Sequence, residues 1–182
     1  MNNCAARLRL EKGDITFEKT DAVVNAANCR LAGGGGVDGA IHRAAGPALA
    51  AECAAIIKRI GRLETGKAVI TAAGGMKSRF VIHTPGPVWK GGGAGEETLL
   101  RSCYRESLAL ALSSGLKTLA FPSISTGVYG YPTELAAPAA LDEVLRFLNK
   151  NAGIELVRFV LYDEDTFMTY EKALKANVNT IA

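Results

Sequence analysis

Aromatic residues make up only 7% of the 182 positions, with a single tryptophan, and there are only two histidines. So few aromatics, interleaved with no basic cluster, argue against a nucleic-acid surface. The basic residues Arg7, Arg9, Lys58, Arg59, Arg62, Lys77 and Arg79 are dispersed, and the net charge is a mild +3. That charge suits an anionic small molecule, and specific nucleic-acid binding is not expected. Four cysteines (Cys4, Cys29, Cys53 and Cys103) are scattered without a C-x-x-C pair. This pattern excludes a zinc ribbon and a thioredoxin-like redox motif, and reduced cytosolic thiols are expected. No apolar run reaches the ~18 residues of a membrane span. Met1–Arg7 lacks the apolar core of a signal peptide, so a cytoplasmic location is expected. Low-complexity linkers and internal repeats are also missing.

Hydrophobic residues reach 48%, enough for one sizeable core, and a single domain over 1–182 is expected. Strand-like segments are Ala6–Leu10, Asp21–Asn25, Lys67–Thr71, Phe80–Thr84, Thr118–Phe121 and Leu156–Tyr162. Helical periodicity covers Val37 to about Ile60, broken at Gly46-Pro47 into two helices in tandem. Further helices are expected over Glu96–Ser114, Leu135–Asn149 and Thr166–Lys175, with Pro138 tolerable only near a helix start. Lys90–Gly95 reads as a mobile glycine-rich loop, and Ser123–Tyr131 as a loop of small and hydroxyl residues. Strands separated by helices argue an α/β sandwich with a largely parallel sheet. The polar and glycine-rich motifs follow strands, so they converge on one crevice at the carboxyl ends.

The densest of these motifs is Asn25-Ala-Ala-Asn28, then Gly33–Gly36, Val37, Asp38, Gly39 and His42. A backbone without side chains approaches a ligand closely, and its N–H groups at a helix start suit a phosphate or diphosphate. Gly34, Gly36 and Gly39 form a G-x-G-x-x-G, but the glycines lie several residues past the strand, and no strand ending in Asp or Glu follows about 20 residues on, so a dinucleotide fold is rejected. No Gly-Lys-Ser/Thr follows either, which excludes a Walker A loop. Asp38 alone reads equally well as an acid in a helix first turn, and Asn25 and Asn28 as turn residues. His42 alone reads as structural, and His83, inside an apolar strand, as a buried hydrogen-bonding group. Ser123–Gly130 offers a second phosphate-gripping loop, with Tyr129 against a sugar face. A serine nucleophile is not indicated, since G-x-S-x-G is absent.

Taken together, the motifs resemble a macro domain, specifically the MacroD-type O-acetyl-ADP-ribose deacetylases. The matching pieces are Gly13-Asp-Ile-Thr16, Asn25–Asn28, Gly33–His42, Ala45-Gly-Pro47, Thr65-Gly66, Ile82–Pro87 and Phe121–Pro132. They follow the family order across nearly the whole chain. Pro85 departs from the small aliphatic residue common there, and Gly74–Arg79 and Lys90–Gly95 match less well. The resemblance implies a three-layer α/β/α sandwich with a mixed, mostly parallel six-stranded sheet. It implies ADP-ribose and O-acetyl-ADP-ribose as ligands, mono-ADP-ribosylated proteins as partners, and no metal or cofactor. Asp14 would accept from the adenine amino group beside Ile15, with Tyr162 packed on the ring. Asn25, Gly34, Gly35, Gly36, Val37, Ser125, Thr126, Gly127, Val128 and Tyr129 would line the diphosphate and distal ribose. Asn28 would bond that ribose, and Asp38 would orient or deprotonate a water. The implied activity is hydrolysis of O-acyl-ADP-ribose and of mono-ADP-ribose on acidic side chains. The competing readings are a non-catalytic ADP-ribose reader and, more distantly, a poly-ADP-ribose or RNA binder.

Overall fold

The structure, a computed structural model, describes residues 4–181. Its elements in chain order are strands β1 (Leu8–Lys12) and β2 (Ala22–Ala27), helices α1 (Gly36–Ala45) and α2 (Pro47–Ile60), strands β3 (Val69–Ala72) and β4 (Phe80–Pro85), helix α3 (Glu96–Ser113), strand β5 (Thr118–Phe121), helix α4 (Thr133–Lys150), strand β6 (Leu156–Leu161) and helix α5 (Glu164–Ile181). The six strands form one sheet in the order β1-β6-β5-β2-β4-β3. All neighbours are parallel except β3, which runs antiparallel to β4 at the edge. Residues 73–79 are too few for a crossover, so β3 and β4 can only close as a hairpin.

Helices cover both faces of this sheet. Successive strand residues alternate between the layers, as a sheet buried on both sides requires. Val23, Val81, Ala120 and Val160 pack with Ile41 of α1 and with Leu49 and Cys53 of α2. Val24, Ile82, Leu119, Phe121, Val157 and Phe159 face α3, α4 and α5 through Leu100, Tyr104, Leu108, Val144, Leu148 and Tyr170. The expected three-layer sandwich with a mixed, mostly parallel six-stranded sheet is therefore present.

Several boundaries differ from the sequence expectation, each for a physical reason. Strand β1 begins at Leu8, not Ala6, because Cys4–Arg7 forms a 3-10 turn. The Arg7 guanidinium is drawn off to the carbonyls of Leu148, Asn151 and Ile154, at and just beyond the end of α4. Asp21 stays outside β2 because its carboxylate accepts from the Lys117 and Thr118 amides. Pro138 lies inside α4, which starts at Thr133 with Pro132 accepting the first turn's amides. The Lys90–Gly95 loop, expected to be mobile, is instead tied down. The Glu96 carboxylate accepts the amides of Lys90 (2.9 Å), Gly92 (3.1 Å) and Ala94 (2.7 Å).

Candidate active site

The carboxyl ends of β1, β2, β5 and β6 release the four segments that carry most of the candidate residues. Between them runs a cleft with two lobes. The smaller lobe, about 190 Å³, is lined by Asn28, Gly34–Asp38, Gly86, Ser125 and Val128–Tyr129 among others. The larger, about 510 Å³, is lined by Gly13–Ile15, Arg43, Thr126 and Tyr162 among others. Gly36, Val37, Ser123 and Gly127 border both lobes and form the waist. The waist lies at the start of α1, where the first-turn N–H groups have no intrahelical acceptor and the dipole favours negative charge.

Close approach of backbones shapes the smaller lobe. A Cβ on Gly39 would stand 2.2 Å from the Gly34 carbonyl oxygen, so only glycine lets α1 press against the Gly33–Gly36 run. A Cβ on Gly86 would meet the Ser125 hydroxyl at 2.1 Å. Ser125 holds φ 68, in the left-handed region, and its buried hydroxyl has no partner among the described residues. A non-glycine residue held there is costly. The loop is pinned from below: the Ile124 amide donates to the Tyr104 hydroxyl at 3.2 Å, and the Ser123 and Tyr170 hydroxyls lie 3.0 Å apart. From the side, the Trp89 amide donates to the Tyr129 carbonyl at 2.9 Å.

Asp38 projects from the first turn of α1 and is only 6% exposed. Its Oδ1 accepts from the Asn25 amide at 2.8 Å, and its Oδ2 lies 3.5 Å from the Asn28 amide. The His42 Nε2 stands 3.5 Å from Oδ1, one helical turn on. Burial pushes the Asp38 carboxyl above the ordinary range, opposed by the Asn25 hydrogen bond and by His42. A raised carboxylate is a better proton acceptor than a free one. Burial also raises the Tyr129 phenol, reinforced by Cys29 and Asp38.

The structure brings most sequence-predicted residues together but redistributes their tasks. Asn28, Gly34, Gly35, Gly36, Val37, Asp38, Ser125, Gly127, Val128 and Tyr129 line the smaller lobe, and Asp14, Ile15, Thr126 and Tyr162 the larger. Asn25 is the exception. It is fully buried behind Asp38, lines neither lobe and supports the carboxylate through its amide. The Asn28 amide donates to the Gly33 carbonyl at 2.9 Å and its Oδ1 accepts from Arg30, so this side chain also shapes the turn entering the glycine run. Asp14 Oδ1 caps a 3-10 turn through the Thr16 amide, leaving Oδ2 for a ligand. Sequence reasoning gave His42 a structural role, yet it sits beside the carboxylate; the i,i+4 spacing on an Asp-bearing helix was the available signal. It also missed Arg43, one position further along the same helix, which borders the larger lobe. Among the described residues no group of three or more His, Cys, Asp or Glu side chains is arranged to hold a metal ion.

The family model described as Macro domain matches residues 24–140. The chain is 50% identical over 169 residues to a Citrobacter rodentium protein named O-acetyl-ADP-ribose deacetylase, covering 93% of this chain and 96% of that one. Its fold superposes with a TM-score of 0.91 on a variant of the Oceanobacillus iheyensis macrodomain solved with ADPR, at 45% identity and 94% coverage of both chains. A Trypanosoma brucei macrodomain in complex with ADP-ribose matches with a TM-score of 0.85 and 43% identity, over 92% of this chain and 69% of that one.

Proposed function

The chain belongs to the macro domain family, and from that premise we propose that it is an ADP-ribose-binding hydrolase. It deacetylates O-acetyl-ADP-ribose and releases mono-ADP-ribose from acidic protein side chains. The two-lobed cleft supports the ligand: a diphosphate between two nucleoside-sized ends fits a waist flanked by two chambers. The adenine takes the larger lobe, with Asp14 Oδ2 as acceptor for its amino group and exposed Tyr162 against the ring. The diphosphate takes the waist, which the Gly36 and Gly127 backbones border. The distal ribose takes the smaller lobe, beside Asn28 and Asp38.

The reaction then follows from Asp38. A water between its carboxylate and the ligand phosphate attacks the carbonyl carbon of the acyl ester, and Asp38 accepts the water's proton. The ester C–O bond breaks, the ribose oxygen takes a proton, and acetate leaves. A carboxylate-linked ADP-ribose on a protein carries the same ester and is cleaved with the same balance.

The observation that carries the hydrolase over the non-catalytic reader is the buried charge of Asp38. A carboxylate beside the site of an anionic ligand opposes binding, and burying it costs stability as well. A reader has no use for either penalty; a proton acceptor explains both. The test is turnover of O-acetyl-ADP-ribose by the wild type, Asn28→Ala and Asp38→Ala, with ADP-ribose affinity for all three. Release of ADP-ribose by the wild type alone, with binding retained in the variants, supports the hydrolase. Equal binding with no turnover of this substrate or of a mono-ADP-ribosylated protein by any of the three makes the chain a reader.

A further inference from the structure

Behind Asp38 lies a polar chain that the reaction as described does not use. Asn25 on β2 and His83 on β4 are register partners on adjacent parallel strands, and both are fully buried. The Asn25 amide nitrogen bridges Asp38 Oδ1, at 2.8 Å, and His83 Nδ1, at 3.2 Å. An amide nitrogen has two hydrogens, and this arrangement uses both. The His83 Nδ1 is therefore the acceptor, so Nε2 carries the proton and donates to the Thr71 hydroxyl at 2.9 Å. Rotating the Asn25 amide by half a turn would set its oxygen 2.8 Å from the Asp38 carboxylate oxygen, two acceptors without a proton between them. The observed orientation holds even though it leaves Asn25 Oδ1 buried without a partner. An unpaired buried acceptor is costly, so the two donor contacts outweigh it.

We propose that His83 is a positioning residue for the hydrolytic reaction: through the Asn25 amide it holds the Asp38 carboxylate in one orientation toward the smaller lobe. This rests on the reading of Asp38 as the proton acceptor. His83 lines neither lobe. Burial, reinforced by His42, pushes its imidazole down to about 3, so the ring stays neutral at neutral pH and keeps one nitrogen as an acceptor. Without that acceptor one of the two contacts that orient the Asn25 amide is lost, and its hydrogen bond to Asp38, which stabilises the ionised form, weakens. The other titratable groups facing Asp38 are His42 on its own helix, Cys53 from α2 and Tyr129 from the loop after β5. None of them contacts the Asn25 amide.

Two substitutions separate positioning from bulk structure. His83→Phe keeps the size and removes the acceptor; His83→Asn places a carbonyl oxygen where Nδ1 stood. For His83→Phe, kcat for O-acetyl-ADP-ribose is expected to fall about tenfold, the loss of one hydrogen bond to a charged group. The acidic limb of kcat is expected to rise by about one pH unit, with ADP-ribose affinity unchanged. His83→Asn is expected to restore most of kcat and the limb. The ¹³C titration of the Asp38 carboxyl without ligand should move upward in His83→Phe and not in His83→Asn. Nitrogen NMR of the wild type should find the proton on Nε2 of His83, a readout independent of any variant's folding. A proton on Nδ1, an unmoved Asp38 titration in His83→Phe, or equal impairment in both variants overturns the proposal. Should Asp38→Asn keep normal turnover while the titration still moves, the failure belongs to Asp38 as proton acceptor, and the coupling itself stands.

Discussion

The hydroxyl of Tyr104, on α3, accepts the backbone amide of Ile124 at 3.2 Å, so a helix in the core fixes the start of the loop that borders the cleft. Tyr104 is fully buried, and its ring packs on Phe121 and Phe159, centroids 5.2 and 5.7 Å away. Removing only the hydroxyl leaves the ring contacts and orphans the Ile124 N–H in a buried setting.

Tyr104→Phe is therefore expected to cost about 1–2 kcal/mol, the usual penalty for an unpaired buried amide. In a chain of this size that lowers Tm by about 2–8 °C in calorimetry. The same change should weaken ADP-ribose binding, measured by titration calorimetry, because residues 124–129 lose an anchor. An unchanged Tm would mean that Ile124 finds another acceptor and that Tyr104 does not set the loop.

Gly39→Ala and Gly35→Ala make a contrasting pair in the glycine run. A Cβ at Gly39 collides with the Gly34 carbonyl oxygen, whereas nothing lies within 4 Å of a Cβ at Gly35. Overpacking of this kind costs about 1–3 kcal/mol, much of it by pushing Gly34 and Gly35 into the cleft. Gly39→Ala is expected to lower both Tm and ADP-ribose affinity, the latter by about tenfold. Gly35→Ala, at the N-cap of α1, is expected to lower Tm less than Gly39→Ala does. Equal stability of the two variants would show that the α1 start does not depend on close contact.

Most of the fold was legible because periodicity reports burial. Alternating strand residues and the Gly46-Pro47 break gave the sandwich and its tandem helices. The features that escaped are those in which a side chain acts far along the chain. Nothing near Arg7 signals that its guanidinium belongs to the end of α4, and nothing near Asn25 signals that its partner is His83, 58 positions on. The site shows the same division. The lining came from local motifs, Asn28, the glycine run and the Ser125–Tyr129 loop. The supporting chain Thr71–His83–Asn25 exists only once β2, β4 and β3 lie side by side.

Glu96 offers a test of the loop that proved to be tied down. Its carboxylate accepts three loop amides, and backbone hydrogen bonds, first that of its own amide, hold its carboxyl below the ordinary value of 4.5. A depressed carboxylate adds stability above its unfolded pKa and loses it as the pH falls through its lowered folded value. In Glu96→Gln the amides of Lys90, Gly92 and Ala94 are expected to exchange hydrogen faster at neutral pH. In the wild type the same loosening should emerge only below about pH 4.5. Because the Trp89 amide donates to the Tyr129 carbonyl, faster exchange should extend to Trp89. Exchange confined to wild-type rates would show that the loop is held by other contacts.

As the proposed proton acceptor, Asp38 would link turnover and stability in opposite directions. Its carboxyl is raised by burial above the value of 3.8 for the unfolded chain. Between those two values the folded protein retains a proton that the unfolded chain has released, so raising the pH through this window destabilises the fold. Above the window the cost is constant, and under the proposed function it is a burden carried for chemistry. Asp38→Asn removes the charge while its carbonyl oxygen can still accept from the Asn25 amide. Turnover of O-acetyl-ADP-ribose is expected to drop by about 10²–10⁴-fold, the range for losing a general base. The Tm at pH 7 is expected to exceed that of the wild type, and the difference should vanish below about pH 3.8, where both side chains are neutral. ADP-ribose affinity should rise, since one negative charge beside the diphosphate is gone. A variant that loses turnover and stability together would mean that Asp38 holds the fold and that its charge is not kept for the reaction.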